Sequence, residues 1–306
     1  MTKPKRHHWW PMAQSRYWTD SKGQVFVTRS DGTSFRANPL NIGVESELYT
    51  RFIDENEKDT AIEEWFSETI DDPATKMIEH LIDPTNIRRT SLCADPAKAE
   101  TAKALGFRVN PYIDRVCLPA EIRRAVSSYL AALLVRHPTY LAKLTQFHKK
   151  DQYTAASTKN RVLDNMLRLY EVYAERIAGA VLIITKRVGS AEYLYADGGI
   201  VVEEPWRQEY GIPFDIHAPL TPDIAMQVLP TPLHEDLSTA AIAESNNQGV
   251  ARQNRIILGG ARRFVFSRQT PPLKFIKENF GRPAPKNIGY RIVNGRLQTS
   301  YDPSRR

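Results

Sequence analysis

A few short stretches of this sequence place polar side chains where a reaction or a ligand would need them. The oddest is His7-His8-Trp9-Trp10-Pro11. A histidine beside tryptophans is partly desolvated, which lowers its pKa and leaves His8 a neutral ring able to act as base or ligand. The competing account is a structural histidine hydrogen-bonded near the chain start. Asp197 stands in Tyr195-Ala196-Asp197-Gly198-Gly199. A carboxylate at a strand end, flanked by glycines, can project into a cleft while backbone comes close to a ligand, or Asp-Gly-Gly is a hairpin turn. Asp215 and His217, two apart on an expected strand, share a face and with another carboxylate could hold a divalent cation; a solvated surface pair is the alternative. Asn254 falls on the apolar face shared by Val250, Ala251, Ile257 and Leu258, where a buried amide must be hydrogen-bonded. It either locks its helix to neighbouring backbone or faces a site. Arg136 ends an expected helix beside His137-Pro138, where a cation caps the C-terminus or clamps an anion.

Stronger signatures are missing. The sequence has no phosphate loop, no Cys-x-x-Cys pair, no His-Glu-x-x-His and no nucleophile elbow. Gly259-Gly260 is expected to end a helix as a cap, whereas a phosphate cradle would begin one. Cys93 and Cys117 are too few for a disulfide framework or a zinc site and are expected to be reduced core thiols. Asp197, Asp215 and His217 therefore remain the candidate metal ligands, with a divalent ion the candidate cofactor.

The 306 residues include 42 Lys and Arg against 35 Asp and Glu, a formal net charge of +7. That balance favours anionic partners, nucleic acid the commonest among them. Basic groups gather at Lys3, Lys5 and Arg6, at His148-Lys149-Lys150, and at Arg252, Arg255, Arg262 and Arg263, the last pair preceding Phe264-Val265-Phe266. Ordinary solvated surface explains such clusters equally well. Apolar runs such as 180–184 are too short to span a bilayer, and no apolar region follows the basic start, so a soluble cytoplasmic protein with no membrane partner is expected.

The frame that would hold these residues reads as α+β: an N-terminal β-hairpin joined to a C-terminal mixed or antiparallel sheet, with a largely helical middle covering one face. Residues 24–27 and 34–37 form the hairpin around Ser30-Asp31-Gly32. Asp54 with Glu57 resembles a capping box before Ile62, Trp65, Phe66 and Ile70. Pro73 suits a fresh helix start. Asp95-Pro96 opens a helix that Gly106 closes. Pro119 begins the helix of Ile122, Val126, Tyr129, Leu130, Leu133 and Leu134, which Pro138 breaks. Thr158 caps the longest helix, whose stripe runs from Leu163 to Val181. Strands follow at 192–196, 200–202, 213–218 and 224–228, then a helix over 238–260 and a strand over 262–267. One domain over 1–268 results, made of a hairpin region over 1–50, a helical region over 51–188 and a β/α region over 189–268, with a surface-bound or frayed tail over 269–306.

In order and spacing these positions resemble a bacterial domain-of-unknown-function family, the one numbered four-two-three-eight. Members open with a His-x-x-Pro string, and His8-Trp9-Trp10-Pro11 is similar. A later helix ends in Arg before a Pro-containing turn, as Arg136-His137-Pro138 does. Tyr195-Ala196-Asp197-Gly198-Gly199 resembles the family's strand end only in its Asp. Pro219-Leu220-Thr221-Pro222 is similar to a Pro-Leu-Ser-Pro string, and Asn254 with Ala261-Arg262-Arg263 to an Asn followed by Ala-x-Arg. The resemblance spans roughly His8 to Ser267 and implies a shared fold and residue shortlist but no reaction.

The functional expectation is an enzyme directed at nucleic acid, a nuclease-like toxin or phage-defence effector. His8 would be base or ligand, Asp197 base or metal holder, Asn254 the substrate-positioning amide and Arg136 the phosphate clamp. The alternative is a non-catalytic basic module that binds nucleic acid or an acidic protein.

Overall fold

The structure is a computed structural model and describes residues 6–53, 57–91, 112–148, 154–202, 216–229, 237–282, 288–293 and 296–301. Along the chain come strand β1 (Arg6–His8), helix α1 (Met12–Ser15), strands β2 (Val25–Arg29), β3 (Ser34–Ala37), β4 (Val44–Ser46), β5 (Arg51–Phe52) and β6 (Lys58–Asp59) and helix α2 (Ala61–Trp65). A π-helical stretch (Phe66–Asp71) leads into α3 (Asp72–Ile82), followed by β7 (Ile87–Ser91), β8 (Tyr112–Cys117), α4 (Ala120–Val135), α5 (Pro138–His148) and α6 (Ala155–Ala178). Strands β9 (Val181–Arg187), β10 (Tyr195–Ala196), β11 (Val201–Val202), β12 (Ile216–Pro219), β13 (Ile224–Leu229) and β14 (Thr239–Ser245) come next. The chain continues with α7 (Asn247–Gly259), β15 (Phe264–Ser267), α8 (Leu273–Asn279), β16 (Ile288–Val293) and β17 (Arg296–Tyr301).

The expected α+β class holds, with a division into two main sheets. The hairpin β2–β3 turns where Asp31 Oδ1 accepts the Thr33 amide at 2.8 Å and Gly32 takes φ +89°. It does meet the C-terminal half: the small sheet has the order β10-β15-β2-β3, all antiparallel. The large sheet has the order β11-β12-β13-β9-β14-β8-β7, antiparallel except where β14 runs parallel to β9.

Alternation along these strands sorts the two faces. Leu182 and Ile184 of β9, Met226 and Val228 of β13 and Ala240 of β14 join the main core with the π stretch, α3, α4 and α6. Thr185 and Ala225 point the other way, toward Gln253 and Val250 of α7. Helices therefore cover both faces, where only one was expected.

Several expected elements are corrected. Within the largely helical middle, β7, β8 and β9 complete the large sheet. Residues 239–245 form β14 and not the start of a helix; pairing with β8 on one side and β9 on the other outweighs local helical preference. The longest helix is capped by Thr154, whose hydroxyl accepts the Ser157 amide, four residues before the expected Thr158, and it stops at Gly179 so that Val181 opens β9. The helix after residue 57 starts at Ala61, where Asp59 accepts the Ala61 amide; Asp54 of the expected capping box lies outside the described residues. The helix expected over 95–106, together with Cys93, also lies outside them. Some of the tail is ordered: α8 buries Ile276 beside Leu194 and Val265, and β16 pairs with β17. No helix among the described residues is long and apolar enough to cross a membrane.

Candidate functional site

Arg136 follows the apolar stripe of α4 and precedes Pro138, which stops the helix from running on. Its backbone carbonyl accepts the Tyr49 hydroxyl at 2.8 Å. Its side chain turns inward and is only 1% exposed. One guanidinium nitrogen, Nη1, donates to Asp71 Oδ1 at 3.1 Å, and the Phe66 ring lies 5.4 Å from the guanidinium carbon. Burial opposes the charge on Arg136, yet Asp71 and the surrounding Tyr49, Tyr129 and Tyr195 hold its pKa above the ordinary range. Burial likewise pushes the Asp71 carboxyl up, and Arg136 pulls it back.

The other edge of that guanidinium is different. Nε and Nη2 are buried and have no hydrogen-bond partner among the described residues. So is the hydroxyl of Tyr129, which stands two helical turns before Arg136 on the same face of α4. Buried donors of this kind are uncommon in native proteins, where protein groups, ordered water or an ion complete the bonding.

His8 borders this centre. The β1–β4 ladder sets His8 opposite Val44, and the Trp9 and Trp10 amides both bond the Gly43 carbonyl, at 2.8 and 3.3 Å. Gly43 takes φ +68°, and a Cβ there would meet the Trp10 Cβ at 2.8 Å, so the tight turn demands glycine. Burial first, then Arg6 and Arg136, lower the His8 pKa, which keeps the ring neutral at pH 7; its Nδ1 is buried without a partner among the described residues. The neighbouring His7 is occupied structurally, since its Nδ1 accepts the Tyr49 amide at 2.8 Å and its ring stacks on Tyr49. His137 packs edge-on against Trp9 and is pushed down to about 4 by burial and by Arg263, Arg262 and Lys143. Arg6, Arg136, Lys143, Arg262 and Arg263 thus give the surroundings of both imidazoles a positive field.

Asp197 and Asn254 do a different job. The Asp197 carboxylate accepts the consecutive amides of Arg262 at 2.8 Å and Arg263 at 2.7 Å. Burial raises its pKa, and these amides oppose that rise. Asn254, on α7, accepts the Leu194 amide through Oδ1 and donates from Nδ2 to the Glu192 carbonyl, both at 2.9 Å. The Glu192 side chain in turn accepts the amides of Arg268 and Gln269. Together the three polar residues clamp 192–197 onto α7 and β15. Of the two accounts the sequence left open for Asn254, the lock is the one seen. Arg263 ties the clamp to the other half: its Nη2 lies 3.4 Å from Glu45 of β4 and its Nε 3.8 Å from Asp197.

Of the expected metal set, Asp197 and His217 are among the described residues. Asp197 spends both oxygens on backbone, His217 is buried on β12 opposite Val201 and Gln227, and Asp215 lies outside the described residues. Among the described residues no group of three or more His, Cys, Asp or Glu could hold a metal ion. The structure therefore sets His8 within electrostatic reach of Arg136 and sets Asp197 and Asn254 in a supporting seam. Sequence reasoning missed Asp71 and Tyr49 as partners of Arg136 and Tyr129 as its neighbour. Tyr129 alone carried a visible signal, its place on the α4 stripe seven positions before the arginine.

A family model described as "Protein of unknown function (DUF4238)" matches residues 6–179. The chain belongs to this family. The segment matched to the DUF4238 model contains His8, Tyr49, Asp71, Tyr129 and Arg136, whereas Asp197 and Asn254 lie beyond the match. No curated protein and no solved structure matches the chain.

Proposed function

We propose that this chain is an enzyme directed at nucleic acid, a nuclease-like effector of the toxin or phage-defence kind, in which Arg136 holds a phosphate and His8 acts as general base. The observation that carries this is the Nε–Nη2 edge of a buried arginine, without a hydrogen-bond partner among the described residues and within electrostatic reach of a neutral histidine. Two parallel N–H groups are the fork that matches phosphate oxygens, and in a dry surrounding they stabilise developing charge strongly. In the proposed step His8 takes a proton from the attacking water. A new P–O bond forms, the bond to the leaving oxygen breaks, and that oxygen takes a proton from solvent. The positive surroundings at Arg6, Lys143, Arg262 and Arg263 favour approach of a polyanion. Asp197 and Asn254 take no direct role in the step and hold the adjoining segments.

A second reading is a non-catalytic basic module for nucleic acid or an acidic protein. It draws on the commitment of Asp197 and Asn254 to backbone, so that neither serves His8 as a second acid or base. Incubation of the protein with labelled RNA and DNA, with magnesium, manganese or chelator, separates the two. Cleavage that His8→Ala loses while its folding is unchanged is the expected result. Retarded but intact nucleic acid, with binding that falls steeply with salt, supports the module instead.

A further inference from the structure

We infer that the β3 end of the small sheet is a docking platform for single-stranded nucleic acid, built from arginine and phenylalanine side chains of β2, β3 and the start of β15. It rests on the proposed function for the class of ligand and uses neither His8 nor Arg136. Register places the parts. Phe264 pairs with Arg29, and Val27 with Phe35, so Phe264, Arg29 and Phe35 share one face of the sheet. The inner part of that face, with Val25, Val27 and Phe266, is covered by Trp9, Trp10 and Trp18. Phe264, Arg29 and Phe35 stand at its margin: Arg29 and Phe35 are exposed and Phe264 is half-buried. The Arg29 guanidinium carbon lies 4.9 Å from the Phe35 ring centre, and that of Arg263 lies 5.7 Å from the Phe264 ring centre. On the reverse face of the hairpin Arg36 lies over Phe26 at 4.4 Å. Strand β3 is the outermost strand of this sheet among the described residues.

A guanidinium seated on an apolar ring offers its outer plane for stacking while its N–H groups reach outward to phosphate oxygens. Bases stack on such planes and on aromatic rings, but only when unpaired and splayed from their own stack, which favours a single strand over a duplex. The charge around the platform agrees. Arg262 and Lys143 are exposed and, with Arg263, close enough to His137 to lower its pKa. The carboxylates bonded into this region are committed: Asp31 accepts the Thr33 amide and hydroxyl, Asp197 accepts backbone amides, Asp20 pairs with Arg36 and Glu45 lies 3.4 Å from Arg263. An acidic protein would answer the cations and leave the rings unused, whereas a single strand supplies phosphates and bases together.

Fluorescence anisotropy of the full chain with labelled oligothymidylate and oligouridylate, and with the same strands annealed to their complements, tests this in chelator over a range of salt, strand integrity being confirmed afterwards. The single strand of at least one chemistry should bind about tenfold or more tighter than its duplex. Phe35→Leu, at a side chain 37% exposed, should weaken single-strand binding about fivefold or more. Arg29→Lys keeps the charge and discards the plane, so it should weaken binding to a similar degree with the salt dependence unchanged. Arg168→Gln, which removes one exposed charge from α6 against the large sheet, should leave the single-strand preference as it was. Equal or tighter binding of the duplexes, or unchanged single-strand affinity in either Phe35→Leu or Arg29→Lys, overturns the inference. Displacement of the labelled strand by polyglutamate as effectively as by unlabelled strand also overturns it and points to an acidic protein. Cleavage that His8→Ala loses, with binding indifferent to Phe35 and Arg29, overturns the platform yet keeps the nuclease reading. Single-strand binding that depends on both residues, without cleavage of any strand, does the reverse.

Discussion

Replacing Asp71 with alanine removes the carboxylate bonded to a buried arginine. Removing one partner of a buried pair costs about 3–5 kcal/mol, because the remaining charge is left uncompensated in a low-dielectric interior. Asp71 keeps 24% of its side chain exposed against 1% for Arg136, so water can partly replace it and the lower end, about 3 kcal/mol, is expected. The double variant Asp71→Ala with Arg136→Met removes the charge as well and should return to within about 1–2 kcal/mol of the parent, since an apolar replacement of a buried pair is often close to neutral. Urea unfolding followed by the fluorescence of the buried Trp9, Trp10 and Trp18 measures both in chloride buffer. In phosphate buffer the Asp71→Ala loss should shrink, because a bound oxyanion on the Nε–Nη2 edge supplies the missing negative charge. A loss below about 1 kcal/mol, or a double variant as unstable as the two single changes added, would refute the account of Arg136 as a buried cation dependent on Asp71.

Without any anion present, Tyr129→Phe should leave stability unchanged or raise it by about 1 kcal/mol, since it deletes a buried hydroxyl with no partner among the described residues; thermal unfolding checks this. His137, lowered to about 4 when folded against 6.5 unfolded, contributes stability that is full above pH 6.5 and lost as pH falls toward 4; the His137→Gln variant should show a flatter pH–stability profile across that window. Gly198→Ala should destabilise by about 1–3 kcal/mol, because a Cβ there would lie 2.8 Å from the backbone oxygen of Gly260, a group that cannot swing aside. Asn254→Ala should cost about 2–4 kcal/mol in chemical denaturation, since it orphans the Leu194 amide and the Glu192 carbonyl together.

What could be read before folding followed from how local each signal is. The β2–β3 hairpin was legible because Asp31 and Gly32 set its turn within a few residues. The α4 stripe was legible for the same reason, and with it the anomaly of a cation at its end. Strand β14 was not, because Thr239-Ala-Ala-Ile-Ala-Glu-Ser has no strong strand preference of its own and is set by neighbours on both sides. The partner of Arg136 was not legible either: Asp71 is 65 positions away, and only the packing of the π stretch against α4 brings it near. Asn254 announced that it was buried and polar but not which backbone it would bond, since Glu192 and Leu194, expected within a strand over 192–196, lie in the loop before β10 and far from Asn254 in sequence.

The clamp and the cation centre are mechanically joined through packed aromatic rings. Asp197, Asn254 and Glu192 fix the segment that carries Tyr195. The Tyr195 ring stacks on Trp10 at 4.9 Å, and Trp10 stacks on Phe266 of β15 at 4.2 Å. Trp10 follows directly on His8-Trp9, the string pinned to Gly43, and Tyr195 also lies within the electrostatic reach of Arg136. Close-packed rings transmit displacement, because such an interior has little free volume to absorb it. Residues outside the matched family span therefore hold the wall against which the residues inside it are set. Loosening the clamp should move His8 relative to Arg136, so activity or anion affinity would fall in variants that touch neither.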